Sequence, residues 1–529
     1  MSDQTTVMPE YQPEPQPGSQ PPRRSRGIIA IIASVVAVVL VAGGGYAAWQ
    51  FFAGGGPRPA EVLPASTFGL VTLDLDPSGG QKVEAIKTLR KFPTFREETG
   101  LKPDSDPLKR IFDEAQKDGQ CKNLDYERDV KSWMGQRIGI GGVVMDGKPK
   151  PVATLQVSDA DNAKTGFPRL AKCLEMSDYG WTLTDDYIVI SDSKALAKKI
   201  VADGEKSPLS ENADYQKWTD EAGGAGIVNA YIGREAVDVM SEELSSGLDD
   251  LGALGGDELP GSGGDQEELA DALAEFKDFE GAAAVLRFAD GGIELSAAGG
   301  GGKAAKSKET VSDHVGAMPK DTALLLAFAV PSGAIDAIEK ADPNGQGSDL
   351  LSSMLGIDFP EDLKTLLGKS LSISLGGNAP DDLASIQSPK DIDVGALISG
   401  DSDKIDAVIA KLEQAAGASL EDLEVTKTSK DGKVAIASNE AYAEQLLGSG
   451  SLADDEGFQD AVPNADDAQM VGYADFGGDW GKAVIQMIRD EDDKESQEVA
   501  DNLEVLRALG ISAWTEDEVS HGLVRLSLK

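Results

Sequence analysis

The sequence predicts an α+β protein: a single transmembrane helix followed by two duplicated halves, each a mainly antiparallel sheet with helices packed on it. Three observations predict this. A long uncharged aliphatic run lies near the N-terminus. The segment "DVKSWMGQRIGI" (129–140) returns 233 residues later as "DLKTLLGKSLSI" (362–373), with Asp129/Asp362, Lys131/Lys364, Gly135/Gly368 and Ile140/Ile373 identical. In both halves, short apolar strand patterns joined by short turns are interleaved with amphipathic helical patterns, which favours antiparallel pairing over a doubly wound parallel sheet.

The first 27 residues are rich in Pro, Gln and Glu and nearly free of aliphatic side chains, so they bury too little to fold. They read as a disordered cytoplasmic tail in which Thr5 and Thr6, near acidic residues and prolines, are candidate kinase targets. Residues 28–52 carry no charge. As a helix rising 1.5 Å per residue they reach roughly 37 Å, more than a hydrocarbon core of about 30 Å. Arg23, Arg24 and Arg26 abut one end, and no base follows until Arg58. The positive-inside bias therefore puts the N-terminus in the cytoplasm and the bulk of the chain outside, with Tyr46, Trp49, Phe51 and Phe52 at the outer interface. A cleaved signal peptide is the rival reading. The leader is long for one, and Gly45-Tyr46-Ala47 is a weak cleavage site. The expectation is an uncleaved signal anchor in the plasma membrane, with the lipid bilayer as its partner.

The repeat extends well beyond its best match. "LPASTFGLVTLDLDPSG" (63–79) parallels "MPKDTALLLAFAVPSG" (318–333), and "PLSENADYQKW" (208–218) parallels "SLADDEGFQDA" (451–461). "YIVISDS" (187–193) parallels "KVAIASN" (433–439), in the same order. The duplication divides the chain into 59–298 and 312–529, joined by a Gly/Lys-rich linker at 299–311. Each half reads as a strand (69–75 or 322–330), two strands (137–145 and 151–157, or 369–375 and 393–399) and an amphipathic helix (160–175 or 402–416). In the second copy of that helix Ile405, Val408, Ile409 and Leu412 share one face. A strand pair, another helix, a strand near 226–232 or 469–475, further helices and a closing pair complete the half. In the final strand Ser520, Gly522, Val524, Leu526 and Leu528 alternate against a mixed set that includes His521 and Arg525, so the former are expected to face the core.

The first half carries about 22 extra residues before Gly135, with Cys121 among them. Cys121 and Cys173 are the only cysteines. Outside the membrane a disulfide between them is the default, and two buried free thiols the alternative. The segment 245–268, acidic and Gly-rich, reads as a surface loop, with a lid or partner-binding loop as the sharper alternative.

Composition bounds the chemistry. The net charge of −42, from 91 acids against 49 bases, argues against nucleic acid as a partner, because binding it relies on clustered cations. His314 and His521 are the only histidines, and neither adjoins a nucleophile motif, so both read as structural or surface residues. Carboxylate pairs such as Asp185-Asp186 and Asp454-Asp455 are expected by chance in so acidic a chain. "DPNGQGSDLLSS" (342–353) places Ser353 where a calcium loop needs a bidentate acid, and reads as a turn. No catalytic residue, cofactor site or metal site is expected.

With the anchor, the "LPASTFGLVTLDLDPSGGQK" stretch, "GFPRLAKC" and "YIVISDS" in place, the chain from about residue 59 onward resembles a family of actinobacterial membrane-anchored proteins catalogued as a domain of unknown function. The resemblance implies an envelope protein with a single anchor and supplies no activity. The expectation is a non-enzymatic binding or scaffold protein whose partner is an envelope ligand, such as a lipid or other apolar molecule, or another envelope protein. A carboxylate-based extracytoplasmic hydrolase is the alternative.

Overall fold

A computed structural model describes residues 58–74, 84–95, 107–117, 121–239, 276–301, 309–331, 333 and 345–529, apart from a few positions within them. These residues belong to one compact unit. The proposed tail, the anchor with Arg23, Arg24 and Arg26, and the 245–268 loop lie outside the described residues, as do Thr5 and Thr6. Among the described residues no helix is long and apolar enough to cross a membrane.

The first half opens with a helical turn, α1 (Pro59–Val62), and strand β1 (Thr67–Asp74). Helix α2 (Pro107–Lys117) lies in the extra segment. Strands β2 (Met134–Met145) and β3 (Lys148–Val157), helix α3 (Ala160–Cys173) and strands β4 (Gly180–Leu183) and β5 (Tyr187–Ser191) follow. Helices α4 (Lys194–Gly204) and α5 (Ala213–Glu221), strand β6 (Val228–Gly233) and the hairpin β7 (Gly281–Ala289)–β8 (Gly292–Gly300) complete it. The second half repeats the plan. It runs α6 (Ser312–Val315), β9 (Leu324–Ala329), α7 (Gln346–Leu355), α8 (Glu361–Leu367), β10 (Ser370–Leu375), β11 (Val394–Ser399) and α9 (Ser402–Ala416). Then come β12 (Thr426–Lys430), β13 (Lys433–Ala437), α10 (Glu440–Leu446), α11 (Glu456–Ala461) and β14 (Met470–Asp475). Helices α12 (Asp479–Arg489) and α13 (Lys494–Leu503) and the hairpin β15 (Leu506–Glu516)–β16 (Val519–Leu528) close the chain. Two expectations shift at the margins: β8 continues to Gly300, into the proposed linker, and Ser353 sits inside helix α7.

Strand order carries the duplication more clearly than sequence does. The first half is ordered β4-β5-β3-β2-β1-β6-β7-β8 and the second β12-β13-β11-β10-β9-β14-β15-β16, the same permutation. The halves are joined by more than the linker. The last strand of one pairs with the last strand of the other, antiparallel, from Val519↔Gly300 to Leu526↔Ile293. Equivalent strands meeting antiparallel produce a pseudo-twofold axis, and the result is one continuous 16-stranded sheet.

The same local devices fix both copies. Thr67 Oγ1 donates to the Pro64 carbonyl at 2.6 Å, and Thr322 Oγ1 to the Pro319 carbonyl at 2.7 Å. Asp159 and Asp401 cap α3 and α9, Ser193 and Asn439 cap α4 and α10, and Asn212 and Asp455 cap α5 and α11. Each cap accepts an otherwise orphaned first-turn N–H.

The opening repeat has a physical meaning of the same kind. Asp129 and Asp362 are buried. Each accepts the backbone N–H four residues upstream, Asp125 at 2.9 Å and Asp358 at 2.6 Å. Each also accepts a cation from the amphipathic helix that follows: Arg169 Nη1 at 2.6 Å on Asp129, and Lys411 Nζ at 2.7 Å on Asp362. Arg169 and Lys411 occupy the same place, ten residues beyond the caps Asp159 and Asp401. Gly368 has φ +62°, and a Cβ there would collide with the Ser399 carbonyl, so only glycine fits.

At the outer flank of the second half, helices cover both sides of the sheet. Strand register puts Ser372, Leu397 and Ala435 in one row and Leu371, Ile398 and Val434 in the opposite row. Leu397 and Ala435 pack with Tyr442 of α10 and Phe458 of α11. Ile398 and Val434 pack with Ile405 and Ile409 of α9. The final strand departs from its expectation for a related reason. Val519, Leu523, Arg525 and Ser527 are the inward set and Val524 is exposed, because Arg525 finds buried carboxylate partners on the core side.

Candidate functional site

The most distinctive surface is the sheet face left open by the described helices. Register places Ile373, Leu326, Gly472, Ile511, Val524, Leu295, Leu286, Val228 and Leu73 in one row running from β10 to β1. The adjoining rows hold Phe328, Met470, Ala513, Gly522, Ala297, Ala284, Ala230 and Val71. On these nine strands the register brings no charged residue to this face. Leu324, Leu326, Ile373, Val524, Leu295, Val71 and Ile232 are all exposed, Leu326 and Ile373 by 42% and 48%. Antiparallel sheets that meet water on one side alternate apolar with polar residues. Here β9, "LLLAFA", is apolar on both faces although only Leu325, Ala327 and Ala329 are buried. The sequence logic that assigned Ser520, Gly522, Val524, Leu526 and Leu528 to a buried face was reading this surface.

Coverage of the face differs between halves. At the first-half end, Leu73, Val228, Phe288 and Ile293 pack against Ala85 and Leu89, in the helical stretch after β1. The second-half end, around Leu324, Leu326 and Ile373, is the more exposed.

On the helix-covered side, charge crosses the seam between halves. Arg525 Nη1 reaches Glu294 Oε2 at 3.2 Å and its Nη2 reaches Asp460 Oδ1 at 3.0 Å. Arg287 Nε donates to the other Glu294 oxygen at 2.7 Å. Glu294 and Arg525 are both buried, and each has one counter-ion from its own half, Arg287 and Asp460 respectively, and the other across the seam.

His314 and His521 separate in role. His314 is fully buried, with Ser372 Oγ 2.9 Å from Nδ1, and Ser399 and Ser370 Oγ at 2.8 and 2.9 Å from Nε2. Burial, reinforced by the Lys433 charge, lowers its pKa to about 4. A neutral imidazole enclosed by three serine hydroxyls, with no carboxylate among its hydrogen-bond partners, has the setting of a packed core histidine. His521 stacks on Trp514, centroids 5.1 Å apart.

Among the described residues the carboxylates are displaced in one direction only: each one whose pKa is displaced moves downward. Asp129 is lowered by its Arg128 hydrogen bond, against desolvation, with help from Asp125 N–H and Arg169. At Asp362 desolvation pushes upward and is outweighed by Lys411 and the Asp358 N–H. Among the described residues no group of three His, Cys, Asp or Glu side chains is arranged to hold a metal. A polar cleft of about 370 Å³ opens beside Lys320, Asp321, Asn378 and Asp393. There Asn439 and Asn378 already engage both Asp393 oxygens, at 2.9 and 3.3 Å. Cys121 and Cys173 form a disulfide, Cα–Cα 5.3 Å, that ties the extra segment of the first half to the C-terminus of α3.

Compared with family models, curated proteins and solved structures, the chain matches none.

Sequence reasoning located the cysteines and the repeated Asp. It missed the open face, Glu294 and Arg525. The signal for the face was present: a strand such as "LLLAFA" with apolar residues at every position asks for cover on both sides.

Proposed function

We propose that the protein is a non-enzymatic binding module of the cell envelope, held by one N-terminal anchor in the plasma membrane with its bulk outside, and that its sheet takes an apolar ligand. The observation behind this is the charge-free apolar face crossing both halves with seven exposed aliphatic side chains. Contiguous exposed apolar residues on a folded protein mark interaction surfaces. The anchor and its orientation rest on residues 23–52, where three arginines precede the uncharged run. The downward displacement of the perturbed carboxylates favours binding over hydrolysis, since a carboxylate acting as general acid needs a raised pKa.

The test is native mass spectrometry of the full chain purified from an actinobacterial membrane, followed by organic extraction. A co-purifying adduct that partitions into the organic phase supports the reading. A bare mass, together with no uptake of added fatty acid, overturns it and points to a scaffold that binds another envelope protein.

A further inference from the structure

We infer that the ligand is a set of lipid acyl chains lying across the strands, over the seam where β8 meets β16, so that one composite site is built by both halves. This rests on the apolar-ligand reading and narrows it in class and place.

Three observations select acyl chains. The exposed set is aliphatic: Val71, Ile232, Leu295, Leu324, Leu326, Ile373 and Val524, with Met470 beside them. Trp and Tyr, which anchor protein partners, are missing from the exposed apolar side chains among the described residues. Hydrocarbon needs no hydrogen-bond donor or acceptor, and the register brings no charged residue to this face over nine strands. A second copy of the chain is disfavoured as occupant, because it would bring another net charge of −42 against the first.

Dimensions fix the form. Nine strands at about 4.8 Å make a band of roughly 38 Å. An acyl chain fills one leaflet, about half of a hydrocarbon core of about 30 Å. The band therefore accommodates two or more chains end to end, as a multi-acyl lipid presents them. Leu295 and Val524 are register partners across the seam and both exposed, so the middle of the band belongs to neither half alone. Each half separately offers a shorter strip bounded by an unpaired β8 or β16 edge. Pairing those edges is what makes the band continuous.

The experiment uses the full chain in its membrane. Cells are fed a diazirine-bearing palmitic acid, irradiated, and the cross-linked peptides mapped. Adducts are expected on β9, β8 and β16, at Leu324, Leu326, Leu295 and Val524. The double substitution Leu295→Glu, Val524→Glu puts charge where hydrocarbon lies, and cross-linking should fall at least about tenfold. Both positions are exposed, so the fold should persist; retention of the Cys121–Cys173 bridge and of the melting temperature verifies this. Leu326→Asn is the milder variant, should the double one be poorly produced, and should cause a partial loss on β9. Adducts elsewhere in the extracytoplasmic chain, unchanged by these substitutions, overturn the seam site and leave the apolar-ligand reading standing. Adducts confined to residues 28–52 overturn both.

Discussion

The two halves share a backbone plan and differ in what fills it. Where the first half packs Trp133, Phe167 and Trp181, with ring centroids 5.9 and 4.9 Å apart, the second packs Leu366, Ile405 and Ile409. Where the first sets Pro59 over Gly139, the second sets His314 over Ser372. Only the first carries a disulfide. Yet both keep the Thr–Pro bond, the three capped helices and a buried Asp that holds a helix-borne cation. A polar group with a fixed backbone partner has few replacements, because leaving a buried donor unsatisfied costs about 1–3 kcal/mol. An apolar core can be refilled as long as volume and pattern are kept. The duplication preserved the first class and let the second drift.

The largest test of that contrast is the disulfide. Replacing Cys121 and Cys173 by Ser opens a loop spanning a sequence separation of 52 residues. On the chain-entropy model this costs about 4 kcal/mol. Hydrogen exchange resolved by peptide should show faster exchange in α2 and α3 and little change around α9. Equal loosening of both halves would mean that the shared sheet transmits the constraint, and the halves are then a single cooperative unit.

Arg525→Met probes the seam. It removes the cation that Glu294 receives from the opposite half and Asp460 from its own, with Arg287 left on Glu294, at an expected cost of about 3 kcal/mol. A double-mutant cycle with Glu294→Gln should recover part of that loss. Additive effects would show that the two residues do not interact.

Acidity separates the halves next. The folded pKa of His314, about 4, lies below the ordinary value near 6.5, so the unfolded chain takes up its proton first as pH falls. The contribution of this residue is complete above about pH 6.5 and is lost on acidification toward pH 4. Between pH 8 and pH 5 it amounts to about 2 kcal/mol. The first half has Pro59 in the equivalent place, so exchange should accelerate selectively in β10, β11 and α6. His314→Phe should remove that selectivity, and a slope that persists would assign it to other groups.

The smallest expected effect compares the repeated carboxylates. Asp129→Ala loses Arg128, Arg169 and the Asp125 N–H, whereas Asp362→Ala loses Lys411 and the Asp358 N–H. The cations stay partly exposed and return to water. Each change should therefore cost about 1–2 kcal/mol, with the first the larger. Both folded pKa values are depressed, so this contribution is present above the ordinary carboxylate range and disappears as pH falls below about 4. Denaturant melts of the two variants at neutral pH and at pH 3 measure both points, and equal losses would remove the asymmetry.

Much of the architecture was legible from local pattern. Alternation and 3–4 spacing placed the strands near 69–75, 137–145 and 151–157 and the helices near 160–175 and 402–416, because periodicity reports which face of an element is apolar. Composition led to the proposed anchor and argues against nucleic acid as a partner, and the two cysteines, Cys121 and Cys173, form the disulfide expected of them. Tertiary structure alone decided what covers each face. The apolar side of β16 was visible in the sequence, but the inward side is the one with Arg525, since Glu294 and Asp460 supply partners from residues 231 and 65 positions away. Likewise the equal partition of the chain was written in the repeat. That the two closing strands would pair, join two sheets into one and leave an apolar band across the join depended on long-range hydrogen bonding that no local pattern encodes.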